Sequence, residues 1–454
     1  MSSIVPAPPH PRKRPPGPRG ILAKNNPFLG GDWLAAFSAY AREYGDIVFF
    51  RLLHIPICLL FHPAEIEQVL VTRAAHFTKS LDYRALARVL GDGLLTSEGE
   101  KWLAHRKLIQ PAFHHDKILR YGKLMADFVA SEMDSWREGE VRDIHRDMMR
   151  LTLRIVAAAL FGANVTGKEN QIAAALAEMM EQFHGMATWA FLLPRAIPIP
   201  SPRGLRRALR EMDGIIYSVI RDRRANHSDA SDLLAMLLEA RSESGERMND
   251  RELHDEIMTL FLAGHETTAN TLAWTFYLLA RNPEAESALV SELQRVLSGR
   301  APGAGDLPLL PYTEMVIKES LRLYPPAWGV GRRAKAPFEV RGYHLPARTN
   351  VFILQWVTQR DARFFPDPIR FNPERWRDDP VRAGRLPRFS YFPFGGGPRV
   401  CVGAGFASME AALLLASVAQ RFHFSLEPGH PVEPLASVTL RPKHGIKVRL
   451  SARR

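Results

Sequence analysis

The chain is poor in cysteine, with two among 454 residues, Cys58 and Cys401. Two thiols exclude a disulfide scaffold, a four-cysteine zinc site and an iron–sulfur cluster held by the chain alone. Such usage suits a reducing compartment, and the expected location is cytoplasmic. A long apolar run is missing from the start. Residues 1–20 are rich in proline and basic side chains, so they read as a flexible arm with neither a secretory signal nor a transmembrane anchor. Acidic residues are in deficit, 48 Asp and Glu against 60 Lys and Arg, for a formal net charge of +12. A basic balance suits nucleic acid, an anionic membrane or an acidic protein partner. Zinc-finger spacing, RNP-type aromatic motifs and an isolated basic tail are all lacking, which argues against nucleic acid. An acidic partner and a merely solvated basic surface remain.

What is present reads as an ordinary globular chain, 46% hydrophobic and 24% charged. Internal repeats and long linkers are absent, so residues 21–454 are expected to form one catalytic domain. A helix is predicted at Asp32–Tyr44, then a strand pair, Ile47–Leu53 and Pro56–Phe61, turning around His54-Ile55. Beyond Phe61 the apolar period is mainly helical, with breaks at Gly91–Gly99, Pro194–Pro202 and Asn282-Pro283. Strand-like segments return at Val330–Val340 and Thr349–Val357, before the loop-rich Asp361–Gly397. A long helix follows Cys401 and short strands close the tail. The fold class is therefore mainly α with small β-sheets assembled from both ends of the chain.

Phe394-Gly-Gly-Gly-Pro-Arg-Val-Cys401-Val-Gly403 sets one of the two cysteines in a glycine-rich loop ahead of an apolar helical run. Three glycines and a proline cannot continue a regular helix or strand. A lone thiol in such a loop is either a small core hydrophobe or a thiolate offered to a metal. For Cys58, inside an apolar strand, the first reading holds. A phosphate-cradling loop competes for residues 395–405, but neither G-x-x-x-x-G-K-[ST] nor a full G-x-G-x-x-G is present.

A second unusual segment lies in the middle of Asn249–Arg281, which reads as one helix roughly 50 Å long. Asn249 and Glu252 give a capping-box start, and Asn282-Pro283 a stop. At its centre stands Ala263-Gly264-His265-Glu266-Thr267-Thr268, polar in an otherwise apolar helix. Mid-helix threonines commonly back-bond to carbonyls one turn earlier. His265-Glu266 opens like a zinc-protease H-E-x-x-H, but Ala269 occupies the last position and rejects it. Glu319 and Arg322 stand three apart on one helix face, by default a weak surface pair.

The complete F-x-x-G-x-R-x-C-x-G pattern of Phe394, Gly397, Arg399, Cys401 and Gly403 resembles the haem-binding loop of the cytochrome P-450 family. Ala263–Thr268 is similar to the family's A-G-x-[DE]-T-[TS], and Glu319–Arg322 to its E-x-x-R. Phe371–Trp376 resembles its P-E-R-F segment, with Trp376 in place of Phe. The resemblance implies a P-450 fold, a triangular prism with a long central helix, and a soluble bacterial monooxygenase. It implies haem b (iron protoporphyrin IX), with Cys401 as axial ligand and Gly397 and Gly403 letting the backbone approach the ring. Phe394 would shield the sulfur, and Trp102, Arg106, Arg332 and Arg399 would hold the propionates, with Arg333 as substitute for Arg332. His105, on another face of the same predicted helix, is expected at the surface. Glu266 and Thr267 would deliver protons where the helix opens locally over the iron. Glu319, Arg322 and Arg375 would form a buried structural network.

By the same resemblance, Leu86, Leu94, Met186, Phe191, Phe261, Ala263, Trp328 and Val438 would line a pocket for a hydrophobic terpenoid, fatty acid or polyketide. Electrons would come from a ferredoxin and its reductase, docking on a basic face that includes Lys107, Arg120, Arg388 and Arg399. A peroxide-driven peroxygenase or isomerase on the same fold is the alternative. A non-catalytic haem sensor is the alternative from another class.

Overall fold

The computed structural model describes residues 14–19, 32–162, 169–193, 197–225, 232–241 and 245–453. Its axis is the helix Asp250–Ala280. Asn249 Oδ1 accepts from the backbone N–H of Arg251 and Glu252, both at 3.0 Å, and Glu252 Oε2 accepts from Asn249 N at 3.1 Å. This reciprocal cap satisfies orphan donors of the first turn and fixes where the helix starts. Arg281 and Asn282 close it ahead of Pro283.

Two apolar cores grow on this axis. One gathers Leu253–Leu262 with the helices Tyr83–Leu90, Ile144–Phe161, Glu169–Leu192 and Arg203–Ala225. The other gathers Ala269–Leu279 with Pro311–Leu323 and Ala404–Arg421, the helix that follows Cys401. Residues 263–268 belong to neither core. The polar turn therefore falls at the seam between them, where a cavity opens.

The main sheet joins both ends of the chain, as expected. Its strand order is 47–52, 55–60, 350–353, 330–334, 77–79. The pairing is antiparallel except where Ile57–Leu60 runs parallel to Asn350–Ile353. The first hairpin turns at Leu53-His54, one residue earlier than predicted, with Leu53 at φ 54°. The segment 349–357 is only half strand: Gln355–Thr358 is a helical turn. The expected flexible arm also needs correction for its described part. Residues 14–19 lie along the first strand, where Phe49 N donates to Pro16 O at 2.8 Å and a Cβ on Gly17 would meet Phe49 O at 2.1 Å. Residues 1–13 and 20 lie outside the described residues.

Glu319, fully buried, accepts five hydrogen bonds. Oε2 takes Arg322 Nε at 2.8 Å and the Trp376 indole at 2.9 Å. Oε1 takes Arg322 Nη2 at 2.8 Å, Asn372 N at 2.9 Å and Arg375 Nε at 2.9 Å. A buried carboxylate is tolerated only when paired and fully hydrogen-bonded, and this one ties the segment 372–376 to the helix Pro311–Leu323. The Trp at 376 supplies a donor that Phe would not. Trp376→Phe is expected to cost about 1–2 kcal/mol, read as a lower urea midpoint at unchanged m value.

Candidate functional site

The loop that carries Cys401 is built by short backbone bonds. Gly395 N donates to Phe392 O at 2.9 Å, Val400 N to Gly397 O at 3.1 Å and Cys401 N to Phe394 O at 3.0 Å. Gly395 and Gly397 hold φ of 72° and 68°, a region that favours glycine. A Cβ on Gly397 would meet Leu70 O at 1.9 Å. Glycine is thus required there by packing against Leu70. Gly403, with φ −89°, has room for a Cβ, whose nearest neighbour would be Phe113 at 3.7 Å. Its amide points at the Cys401 sulfur and, with Arg106, pulls the thiol's pKa down, while burial in the protein pushes it up by more. Cys58, by contrast, is buried in its strand and its thiol is held protonated by burial alone.

Cys401 opens onto a cavity of about 410 Å³ between the loop and the central helix. The cavity walls contain Trp102, Arg106, Arg332, Phe394, Arg399, Gly403, Ala263, Gly264, Glu266, Thr267 and Thr268. Gly397 and Arg333 are not part of the lining; Arg333 Nε donates to Arg348 O at 3.4 Å instead. Of the expected pocket residues, Leu86, Leu94, Ala263 and Val438 line the cavity. Three others do not. Met186 is buried in the helical core, and Phe261 stacks on Phe161 with centroids 5.8 Å apart. Trp328 packs on Trp33 and Phe37 and donates to Ser437 O at 2.9 Å. The side chain of Phe191 lies outside what the structure describes. Leu95 and Leu262, in segments expected to line the pocket, join Val156, Leu160, Leu233 and Leu260, which the sequence did not indicate, to complete an apolar wall.

One corner of the cavity is cationic. Arg399 donates to Glu98 Oε2 at 2.5 Å and stacks over Trp102, 4.5 Å from its centroid. Its Nη1 is buried without a hydrogen-bond partner. Arg399 is therefore turned toward the cavity and is withdrawn from the exposed basic face on which it was expected. Arg106 Nη1 holds Val400 O at 2.8 Å, next to the cysteine. Arg332 is buried and faces Lys79 across paired strands. Lys79 donates to Ser97 O at 2.6 Å and Leu94 O at 3.1 Å, and burial beside Arg399 lowers its ammonium to about 7. Lys79 escaped the sequence reading because only the register of 77–79 against 332–334 brings it here. Four basic side chains, one with a guanidinium N–H unpartnered among the described residues, lining the same cavity as a thiol would fit a metal-bearing group with carboxylate substituents.

The opposite wall is the polar turn of the central helix. The helix runs through 263–268 without interruption, against the expected local opening. Thr267 Oγ1 donates to Ala263 O at 2.7 Å and Thr268 Oγ1 to Gly264 O at 3.3 Å, so both hydroxyls satisfy carbonyls of the preceding turn. Glu266 is buried; Oε1 accepts from Thr439 Oγ1 at 2.7 Å, and Oε2 has no partner. Burial raises its pKa above the ordinary value, against Thr439 and Arg441, which lower it. His105 is not at the surface. It is buried between the helix Gly99–Ile109 and the central helix, with Nδ1 2.6 Å from Glu256 Oε1. That helix turns one face to the cavity and another to the axis, leaving Leu103, Ala104 and Lys107 exposed.

The cytochrome P450 family profile matches residues 15–450. Cyclooctatin synthase from Streptomyces melanosporofaciens is 37% identical over 93% of this chain and 92% of its own length. Cyclooctat-9-en-7-ol 5-monooxygenase from the same organism is 36% identical over 87% of this chain and 85% of its own length. Pentalenene oxygenase from Streptomyces avermitilis is 32% identical over 94% and 96%.

Glu410, on the helix after Cys401, is a second buried acid beside this wall. It is fully buried with neither oxygen bonded, and burial pushes its carboxyl up to about 8 against a slight lowering by Thr268. The unfolded chain releases this proton near its ordinary value of 4.5, whereas the native protein keeps it to about pH 8. The native state binds more protons in that window, so this group's contribution to stability falls as pH rises through it and is flat above. Glu410→Gln removes the dependence. Relative to wild type, the variant is expected to gain on the order of a few kcal/mol between about pH 4.5 and 8, measured by urea unfolding at each pH.

Proposed function

The chain belongs to the cytochrome P450 family and is a haem-thiolate monooxygenase, and from this premise we propose that Cys401 ligates the iron of haem b while Glu266 and Thr267 supply protons from the opposite wall. The observation that carries this reading is the single cavity that has the Cys401 sulfur on one side and Ala263–Thr268 on the other. Trp102, Arg106, Arg332 and Arg399 hold the haem carboxylates, and the unpartnered Arg399 Nη1 supports that assignment. Phe394 lines the sulfur side and keeps water from it. Bound haem supplies a thiolate-ligated iron able to bind and cleave dioxygen.

The chain's own residues supply what the metal cannot. The Gly403 amide and the Arg106 guanidinium stabilise negative charge on sulfur. Glu266, whose pKa burial raises, is a proton donor held beside the cavity. The Thr267 hydroxyl, fixed on Ala263 O, presents its oxygen as an acceptor for that proton's route. Leu86, Leu94, Leu95, Val156, Leu262 and Val438 exclude water and hold the substrate by shape.

The substrate is a terpenoid-type hydrocarbon. The apolar wall and the names of the relatives, cyclooctat-9-en-7-ol 5-monooxygenase and pentalenene oxygenase, support this class over a fatty acid or polyketide. Enzymes of this family draw electrons from an external redox partner. Here the donor is an acidic ferredoxin with its reductase, docking at the exposed Lys107, Arg120 and Arg388. The location is cytoplasmic; among the described residues no helix is long and apolar enough to cross a membrane. Residues 21–454 act as one catalytic domain.

The reduced protein under carbon monoxide is expected to give the red-shifted Soret band of thiolate ligation, and Cys401→His to move it to the histidine-ligated position. An unshifted band in the variant rejects Cys401. In Thr267→Ala, electrons are expected to be diverted to peroxide, with product per electron falling about tenfold or more. Unchanged coupling in that variant would instead favour the peroxide-driven alternative.

A further inference from the structure

Followed away from the cavity, the bond on Glu266 continues through three more side chains from three separate segments. Thr439 Oγ1 lies 2.7 Å from Glu266 Oε1, Asn270 Nδ2 lies 3.0 Å from Thr439 Oγ1, and His145 Nε2 lies 2.9 Å from Asn270 Oδ1. Asn270 stands one turn beyond Glu266 on the central helix and is fully buried. His145 is in the first turn of the helix Ile144–Phe161. Thr439 is held in the tail by its neighbours: Thr439 O accepts from Ser437 N at 3.0 Å, Leu440 N donates to Pro326 O at 2.9 Å, and Trp274 Nε1 donates to Leu440 O at 3.1 Å.

The chain has a direction. An amide side chain offers donors on one side and an acceptor on the other. With Nδ2 on Thr439, the Asn270 oxygen faces His145, so His145 Nε2 must carry a hydrogen. Thr439 Oγ1 accepts from Asn270 and donates its own hydrogen to Glu266 Oε1. Every donor therefore points toward Glu266 Oε1, and Oε2 is left without a partner.

We infer that His145, Asn270 and Thr439 form a positioning chain that holds Glu266 Oε1 as an acceptor and reserves Oε2 for the proton Glu266 passes to the cavity. This rests on the reading of Glu266 as a proton donor. An amide nitrogen does not readily hand a proton on, so the chain orients and polarises Glu266 instead of conducting to it. The charged and titratable groups facing it are few. Asp143, which caps the helix of His145, favours its charged form; Arg441 of the tail opposes it, and His265 of the central helix is a second imidazole close to it. Burial outweighs Asp143 and lowers His145 below its ordinary value, so near neutral pH it is an uncharged N–H donor. Arg441 also favours the ionised form of Glu266.

Infrared difference spectroscopy of the haem-loaded full chain tests this, using the protonated-carboxyl band that Glu266→Gln removes. Thr439→Val takes away the only bond on Oε1 among the described residues, and the titration midpoint of the band is expected to rise by about one pH unit, with a higher carbonyl frequency. Thr439→Ser should restore both. Asn270→Leu and His145→Phe, neither of which lines the cavity, should shift the midpoint in the same direction by less, whereas His145→Gln retains an N–H and stays near wild type. If Thr439→Val does not fold, the Asn270 and His145 variants carry the test. An unmoved midpoint and frequency in folded Asn270→Leu and His145→Phe overturns the chain. The reading of Glu266 fails separately, if Glu266→Gln keeps wild-type product per electron.

Discussion

The structure depends on one buried carboxylate. Glu319 has no water to solvate it, so its two oxygens recruit donors from wherever the chain can bring them: Arg322 on its own helix, and Asn372, Arg375 and Trp376 some fifty residues on. The constraint then propagates. Arg322 Nη1 donates to Gln359 O at 2.9 Å, and the Gln359 side chain, also fully buried, accepts from Phe392 N at 3.0 Å while donating to Leu321 O at 3.0 Å. Phe392 O in turn takes Gly395 N, the start of the loop that ends at Cys401. A charge that performs no chemistry thus sets the position of the sulfur through a continuous series of satisfied polar groups. Removing one partner would strand the rest in an apolar core, which is why such networks cost several kcal/mol to break even when they add little to net stability.

A second constraint arises where the two apolar cores meet. The central helix could have been apolar throughout, and burial would have favoured it. Instead the seam carries Glu266 and Thr267, with Glu410 close behind, and both acids lack full hydrogen bonding. Burial raises the pKa of both and so favours their neutral forms, the opposite of the solution at Glu319, which is paired with Arg322 and Arg375. The cavity therefore has an asymmetric electrostatic make-up. Acids whose pKa burial raises occupy the helix side, and basic side chains, Arg106, Arg332, Arg399 and Lys79, occupy the other.

Local signals made the axis and the cysteine loop readable in the sequence, since a capping box and a glycine-rich turn each declare themselves within a few positions. The Glu319–Arg322–Arg375 triad was readable only through the family resemblance, because spacing alone makes Glu319 and Arg322 a weak surface pair and Arg375 lies in a distant segment. What was not readable depended on pairing between distant segments. Trp328 resembles a pocket aromatic until the tail is seen to bring Ser437 to its indole, and His105 resembles a surface residue until the axis brings Glu256. At Gly397 the sequence could not show the atom that forbids a side chain there, the carbonyl of Leu70, more than 300 positions away. The fourth donor on Glu319 was visible as a departure, Trp for Phe, but its meaning required the carboxylate to be in reach.

Thr267 shows how a structural and a catalytic reading can be the same geometry. Its hydroxyl is bonded to Ala263 O at 2.7 Å, the ordinary fate of a threonine inside a helix. That bond spends the proton on the helix and leaves the oxygen lone pairs as the face offered to the cavity. To donate into the cavity the hydroxyl must rotate and abandon a carbonyl, a change worth about 1 kcal/mol in net terms. The cost is small enough for thermal access and large enough to favour the back-bonded state at rest. The threonine is therefore a two-position group, an acceptor for a proton arriving from the Glu266 side and a donor only after rotation. The uninterrupted helix makes this possible, because a helix opened at Ala263 would leave the hydroxyl no carbonyl to return to.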